Sequence, residues 1–221
     1  MKPVHSAVVS AAFVLVALAA AVWLYPSLPA QTPTHWDLQG HVNGTMPRLW
    51  AAAIPVLLVS FLALLMVVLP KISPRRFEIA PFLRVWHVVM LSVQGLILVI
   101  GLCALLKGAG YPLPMATIGM TVVGVMLIII GNYMGKLQRN FFAGIRTPWT
   151  LASEEVWERT HRLAGWVFVL AGLAWIALML AGVMSTWLLV VLVGVLLVPS
   201  VYSYVIYRRL ERTHPGQGDS P

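Results

Sequence analysis

The chain has 221 residues, 60% hydrophobic and 10% charged, with a formal net charge of +8. So little polar surface cannot cover a water-soluble fold. The basic residues sit in short clusters between apolar runs, which marks membrane orientation; a nucleic-acid binder presents one contiguous basic face, so no direct nucleic-acid binding is expected.

A hydrocarbon core of about 30 Å takes roughly 20 helical residues. Uncharged runs of that length extend from Ser6 to Leu24, Leu49 to Leu69, Val85 to Leu106, Pro114 to Gly135, Leu163 to Ala181 and Trp187 to Tyr207. They predict an all-α polytopic membrane protein of six transmembrane helices over residues 1–212, with a disordered cytoplasmic tail at 213–221. The first run is too long for the roughly 7–15-residue core of a signal peptide, so the first span is expected to be retained. Pro55 and Pro199 fall inside spans two and six, where kinks are expected. Pro114 suits the first turn of span four.

On span three, His87, Gln94 and Gly101 recur every seven residues and share a face, read as helix packing. Gly119, Gly124 and the Gly131-x3-Gly135 pair on span four predict close helix approach. Cys103 is the single cysteine, which excludes an internal disulfide framework and a thiolate metal cluster. Spans five and six form one apolar stretch that must turn back near Gly182, Ser185 and Thr186.

Orientation follows from the cations. Lys2, Lys71, Arg75, Arg76, Arg84, Lys136, Arg139, Arg146, Arg159, Arg162, Arg208, Arg209 and Arg212 fall on one side, and Arg48 and Lys107 on the other. This bias places the first side, with both termini, in the cytoplasm of a bacterial inner membrane. Trp23, Tyr25, Trp50, Tyr111 and Trp187 mark the outer interface, and Trp86, Tyr133, Tyr204 and Tyr207 the inner one.

Two connections carry the polar chemistry. The outer loop, 26–48, is set with Pro26, Pro29, Pro33, Gly40, Gly44 and Pro47, and Asn43-Gly44 is a tight-turn signal. His35, Asp37 and His41 lie close together, but their spacing is not a zinc signature; turn scaffolding is the reading, and neither metal nor cofactor is expected. The inner loop, 136–162, has Ser153 as a helix N-cap, Glu154 and Glu155 at the positive helix end, and Arg146 and Thr147 held extended before Pro148. Trp157 is expected to pack on the membrane interface. The loop reads as a lipid-surface anchor or a docking platform for a soluble partner.

Read together, the loops resemble the SdpI family of bacterial immunity proteins. The outer PTHWDLQGHVNG matches an uncharacterised N-terminal domain of that family at Pro33, His35, Trp36 and Gly40, with Asp37 where the family pattern usually has Asn. The inner stretch matches the second motif at Gly131, Asn132, Tyr133, Asn140, Gly144, Arg146, Thr147, Pro148, Trp149, Thr150, Leu151, Trp157, Thr160, His161 and Gly165. The resemblance implies a protein that protects its cell against a secreted membrane-active toxin peptide, and one that holds a transcriptional repressor at the membrane.

Ligand- or partner-binding residues are therefore expected among Pro33, His35, Trp36, Asp37 and Gly40 outside, and Asn132, Asn140, Gly144, Arg146, Thr147, Pro148, Trp149, Thr150, Trp157, Thr160 and His161 inside. A small transporter using the His87 and Gln94 face is the alternative. A membrane enzyme using His35, Asp37 and His41, or His161 beside Glu158, ranks below it, and the protein is expected not to be an enzyme.

Overall fold

A computed structural model describes residues 3–37, 39–74, 77–182 and 186–213. Six long helices carry the fold: α1 (Pro3–Leu24), α2 (Arg48–Ile72), α3 (Leu83–Gly108), α4 (Met115–Met134), α6 (Glu154–Leu180) and α7 (Thr186–Thr213), with a short α5 (Pro148–Ala152) between α4 and α6. All six are long and apolar enough to cross a membrane. Large apolar side chains such as Val8, Leu15, Phe61, Leu170 and Leu196 are exposed around the bundle. That pattern suits a protein whose solvent is lipid.

Without a hydrophobic drive between helices in lipid, association depends on how closely backbones approach. The α4–α6 contact is built that way. A Cβ on Gly131 would lie 2.8 Å from the Gly165 carbonyl oxygen, and one on Gly172 would lie 2.7 Å from that of Gly124. The working stripe is thus the seven-residue pair Gly124 and Gly131, facing another such pair. Gly135 meets only ordinary contacts and Gly119 meets nothing within 4 Å among the described residues, so the expected Gly131-x3-Gly135 motif is not the contact. Pro55 continues α2 and fills the space over Gly101 of α3, where a Cβ would come within 2.6 Å of it.

α1, α2 and α3 pack on one another, α3 meets α4, and α6 packs on α4 and α7. The shared face of α3 is buried as expected: Gln94 is fully buried and donates from Nε2 to Ser10 Oγ of α1 (3.0 Å) and the Val59 carbonyl of α2 (3.4 Å). α1 runs parallel to α3, so its N-terminal end lies at the same end of the bundle as Leu83. The C-terminal part of α7 packs there too, through α5. The first turn of α1 and the last turns of α7 therefore lie at the same end of the bundle. Arg75, Arg76, Ser185 and the tail at 214–221 lie outside the described residues, whereas Thr213 is the last residue of α7.

The outer loop holds an element that the sequence reading did not contain, an antiparallel hairpin of β1 (Gln31–Trp36) and β2 (Val42–Pro47). Pro114 caps α4 from just outside rather than occupying its first turn.

Candidate functional site

The hairpin sits over the C-terminal end of α3. Thr32, buried to 1% exposure, places its methyl where a Cβ on Gly108 would be only 2.7 Å away, and its hydroxyl donates to the Pro29 carbonyl at 2.8 Å. The turn forms at Asp37–His41 and not at Asn43-Gly44. Asp37 Oδ1 accepts the amides of Gln39 (3.0 Å) and His41 (2.8 Å), and Gly40 takes the left-handed conformation at φ +86°. An aspartate that caps its own turn and a glycine free to adopt positive φ together outcompete Asn-Gly. Gly44 instead lies opposite His35 in the ladder, where its missing Cβ makes room for the imidazole.

Asp37 Oδ2 pairs with His41 Nδ1 at 3.3 Å. Burial works to raise the Asp37 carboxyl, but the hydrogen bonds and charge of His41, with the Gln39 amide, outweigh it and hold the carboxyl below its ordinary value. His35 contacts Thr34 Oγ1 instead, at 3.3 Å, so the three expected residues do not converge. Pro33 lies opposite Thr45 and Trp36 opposite Val42. The Trp36 indole N–H is buried without a hydrogen-bond partner among the described residues.

At the other end of α3, about 39 Å away for its 26 residues, residues 135–147 form an irregular but tightly tied loop. Asn140 is fully buried and organises it: Oδ1 accepts the amides of Phe142 (2.8 Å) and Ala143 (2.7 Å), while Nδ2 donates to the carbonyls of Gln138 (2.9 Å) and Ala143 (3.0 Å). A carboxamide has both donors and acceptors, and all four bonds use that pairing.

The loop is then latched onto α6. His161 Nδ1 lies 2.9 Å from the Trp157 carbonyl, and Nε2 accepts the Ile145 amide at 3.0 Å. These contacts define a neutral ring with its proton on Nδ1. The ring stacks on Trp157 with centroids 3.9 Å apart. Gly144 passes directly beneath at φ +109°, and a Cβ there would collide with His161 Nε2. Both ring nitrogens are engaged, so Glu158 is not the histidine's partner.

Trp157 does not face lipid as expected. It is fully buried and donates from Nε1 to the Leu137 carbonyl at 2.7 Å, within a cluster that includes Met66, Ile79, Phe82, Trp86 and Met134. Trp86, expected in the aromatic belt, is buried there as well, bonded to the Met66 carbonyl at 3.0 Å. Both indoles satisfy buried carbonyls that lack a helical donor: Leu137 lies in the loop after α4, and Met66 stands four residues before Pro70, which has no N–H to give it.

Thr147 and Thr150 form a reciprocal capping box at α5, with Pro148 in its first turn. Thr150 Oγ1 donates to the Ile145 carbonyl at 2.8 Å, and Thr147 Oγ1 meets Ser203 Oγ of α7 at 3.0 Å. Trp149 packs on Tyr204 with centroids 5.0 Å apart. Ser153 caps α6, accepting from the Val156 amide, as its position predicts. Arg139 pairs with Glu154 at 3.0 Å, and Arg146 is exposed, donating to the Phe141 carbonyl. Phe77 from the α2–α3 connection meets Phe141 edge-on at 5.5 Å.

The structure thus gathers Asn140, Gly144, Arg146, Thr147, Pro148, Trp149, Thr150, Trp157 and His161 into one platform. Asn132 stands apart, exposed on α4 and bonded to the Ile128 carbonyl of its own helix, and Thr160 is buried without a hydroxyl partner among the described residues. Ser203, Tyr204 and Phe77 belong to the platform without having been expected there. Their contacts depend on how α7 and the α2–α3 connection fold back, which local pattern does not encode.

Residues 136–203 match the SdpI/YfhL protein family, and residues 12–59 match a domain of unknown function, DUF1648. The chain is similar to the immunity protein SdpI of Bacillus subtilis (strain 168), with 27% identity over 206 residues that cover 92% of this chain and 96% of the relative. No solved structure matches.

Proposed function

We propose that this multi-pass bacterial membrane protein, which matches the SdpI/YfhL family over residues 136–203 and is similar to an immunity protein over 92% of its length, is itself an immunity protein acting against a secreted membrane-active toxin peptide. The hairpin end meets the peptide outside the cell. The platform at 136–162 faces the cytoplasm and offers a docking surface to a soluble transcriptional repressor. The bias of Lys and Arg toward the platform side supports this orientation.

The observation that carries the proposal is the internal order of the platform. Asn140, Gly144 and His161 hold an exposed loop in one conformation, leaving Arg146 and the half-buried Trp149 displayed on it. A lipid anchor needs charge alone and gains about 1 kcal/mol per basic residue however the loop folds. A fixed loop presents a shape, which a protein partner can read.

The test is expression in a toxin-sensitive strain. Wild-type protein protects, and Arg146→Lys loses protection at an equal membrane level, because an ammonium does not reproduce the guanidinium's fixed fork. Killing unchanged by the wild-type protein across a panel of envelope-active peptides removes the immunity reading; protection by Arg146→Lys equal to wild type removes the role given to Arg146.

A further inference from the structure

Between α1 and α2, on the hairpin half of the bundle, lies an apolar groove of about 370 Å³ lined by Leu18, Val22, Tyr25, Ala52, Ala53 and Leu57, among others. It lies alongside the hydrocarbon-spanning segments, where acyl chains are the surrounding solvent. Its rim is cationic. Arg48 precedes the lining residue Leu49 and holds its guanidinium 5.1 Å from the ring centroid of the lining residue Tyr25.

Arg48 is exposed, its backbone is tied by its amide to the Ala30 carbonyl at 3.1 Å, and no carboxylate pairs with it among the described residues. Asp37, the acid of the neighbouring hairpin, is engaged by His41. A positioned guanidinium without an acid partner among the described residues, set at the hairpin end of an apolar slot where α2 begins, is complementary to a phosphodiester that carries an acyl chain.

We propose that this groove is a binding site for one phospholipid of the outer leaflet, with its phosphate on Arg48 and an acyl chain between α1 and α2. A second groove serves as an internal comparison. The slot between α3 and α4, about 310 Å³ and lined by residues such as Gly95, Val99 and Val125, has no charged residue beside a lining residue in the chain, where the first groove has Arg48 beside Leu49, so it accepts apolar chains without regard to headgroup.

The experiment uses the purified full chain in detergent, with bound lipid counted by native mass spectrometry during titration with phosphatidylglycerol or with diacylglycerol of the same chains. Wild type is expected to bind phosphatidylglycerol about fivefold more tightly, the factor a single interfacial cation supplies. Arg48→Gln is expected to abolish that preference and Arg48→Lys to keep most of it, while Ala53→Trp lowers occupancy by both lipids. The three variants are compared only where their thermal unfolding matches wild type, and Arg48→Lys controls for any fold defect at that position. Equal binding of the two lipids by wild type, or an undiminished preference in Arg48→Gln, overturns the site. So does displacement of phosphatidylglycerol by an apolar helical peptide at lower concentration than by more lipid, which would make the groove a peptide site.

Discussion

Gly144→Ala is the substitution whose cost can be worked from the structure in two independent parts. An L-residue at φ +109° costs about 1–2 kcal/mol in the backbone. The new Cβ also collides with His161 Nε2, so either the imidazole or the loop must move. Either movement breaks the bond from the Ile145 amide and leaves buried polar groups unpaired, at roughly 1–3 kcal/mol. Gly40→Ala is the matched control: φ is +86° but nothing among the described residues lies within 4 Å of the added carbon, so it bears the first cost alone. Both variants share the small unfolded-state gain of replacing glycine, which cancels in the comparison. The assay is hydrogen exchange by mass spectrometry on the full chain in nanodiscs. Gly144→Ala should accelerate exchange over 139–147 by roughly 5- to 150-fold more than Gly40→Ala accelerates it around the hairpin turn. Peptides from the middle of α6 should be unchanged. Equal acceleration in the two variants would show that the latch onto His161 contributes nothing, and the account of the platform would fail.

Three further outcomes follow from the same geometry. Asn140→Asp should open the platform nearly as far as Asn140→Ala, because the carboxylate keeps the bonds from Phe142 and Ala143 but sets an acceptor against the carbonyls of Gln138 and Ala143; exchange over 139–147 at wild-type rates in the Asp variant would contradict this. Gln94→Leu should lower stability by only about 0.6 kcal/mol, as buried polar links between membrane helices commonly do, and leave protection intact; loss of function without loss of stability would revive the transporter reading. In the hairpin, the carboxyl of Asp37 is depressed by its partners. Its contribution to the turn is therefore fully present above the unfolded value, about 3.9, and is lost as pH falls through the lower folded value. Trp36 fluorescence should change in that acid window in the wild type and show no such transition in Asp37→Asn.

The helices were legible because the bilayer sets a single length and every span meets it. The turn at Asp37 and the box at Thr147 were legible in principle as well: each has a capping side chain at the spacing its backbone amides require. What misled the reading was residue type taken without its surroundings. Trp86 and Trp157 resemble interfacial indoles, but each finds a buried carbonyl, on Met66 and Leu137, that only the folded bundle supplies. The hairpin was hidden because Pro33, Gly44 and Pro47 break the alternation that marks a strand, and its seat depends on Thr32 docking against Gly108 of α3. His161 was named from the motif, but its role as acceptor for Ile145 became visible only with the loop in place.

The two ends are joined by one rod. α3 seats the hairpin at Gly108 and enters the platform cluster through Trp86, and a helix transmits displacement along its axis more readily than it bends. For occupancy outside to be felt inside, the bundle needs two arrangements that the outer ligand binds with different affinity. The contacts of α3 differ along its length. At the platform end it is locked by Trp86, Met90, Met134 and Trp157, while at mid-depth its face toward α4 leaves the slot beside Gly95 and Val99. Gln94 ties that same depth of α3 to α1 and α2. At that depth α3 is thus tied to α1 and α2, and the room beside it lies on the side of α4. A second arrangement of the bundle that moved α3 against α4 would have to disturb Trp86, which packs in the same cluster as Trp157.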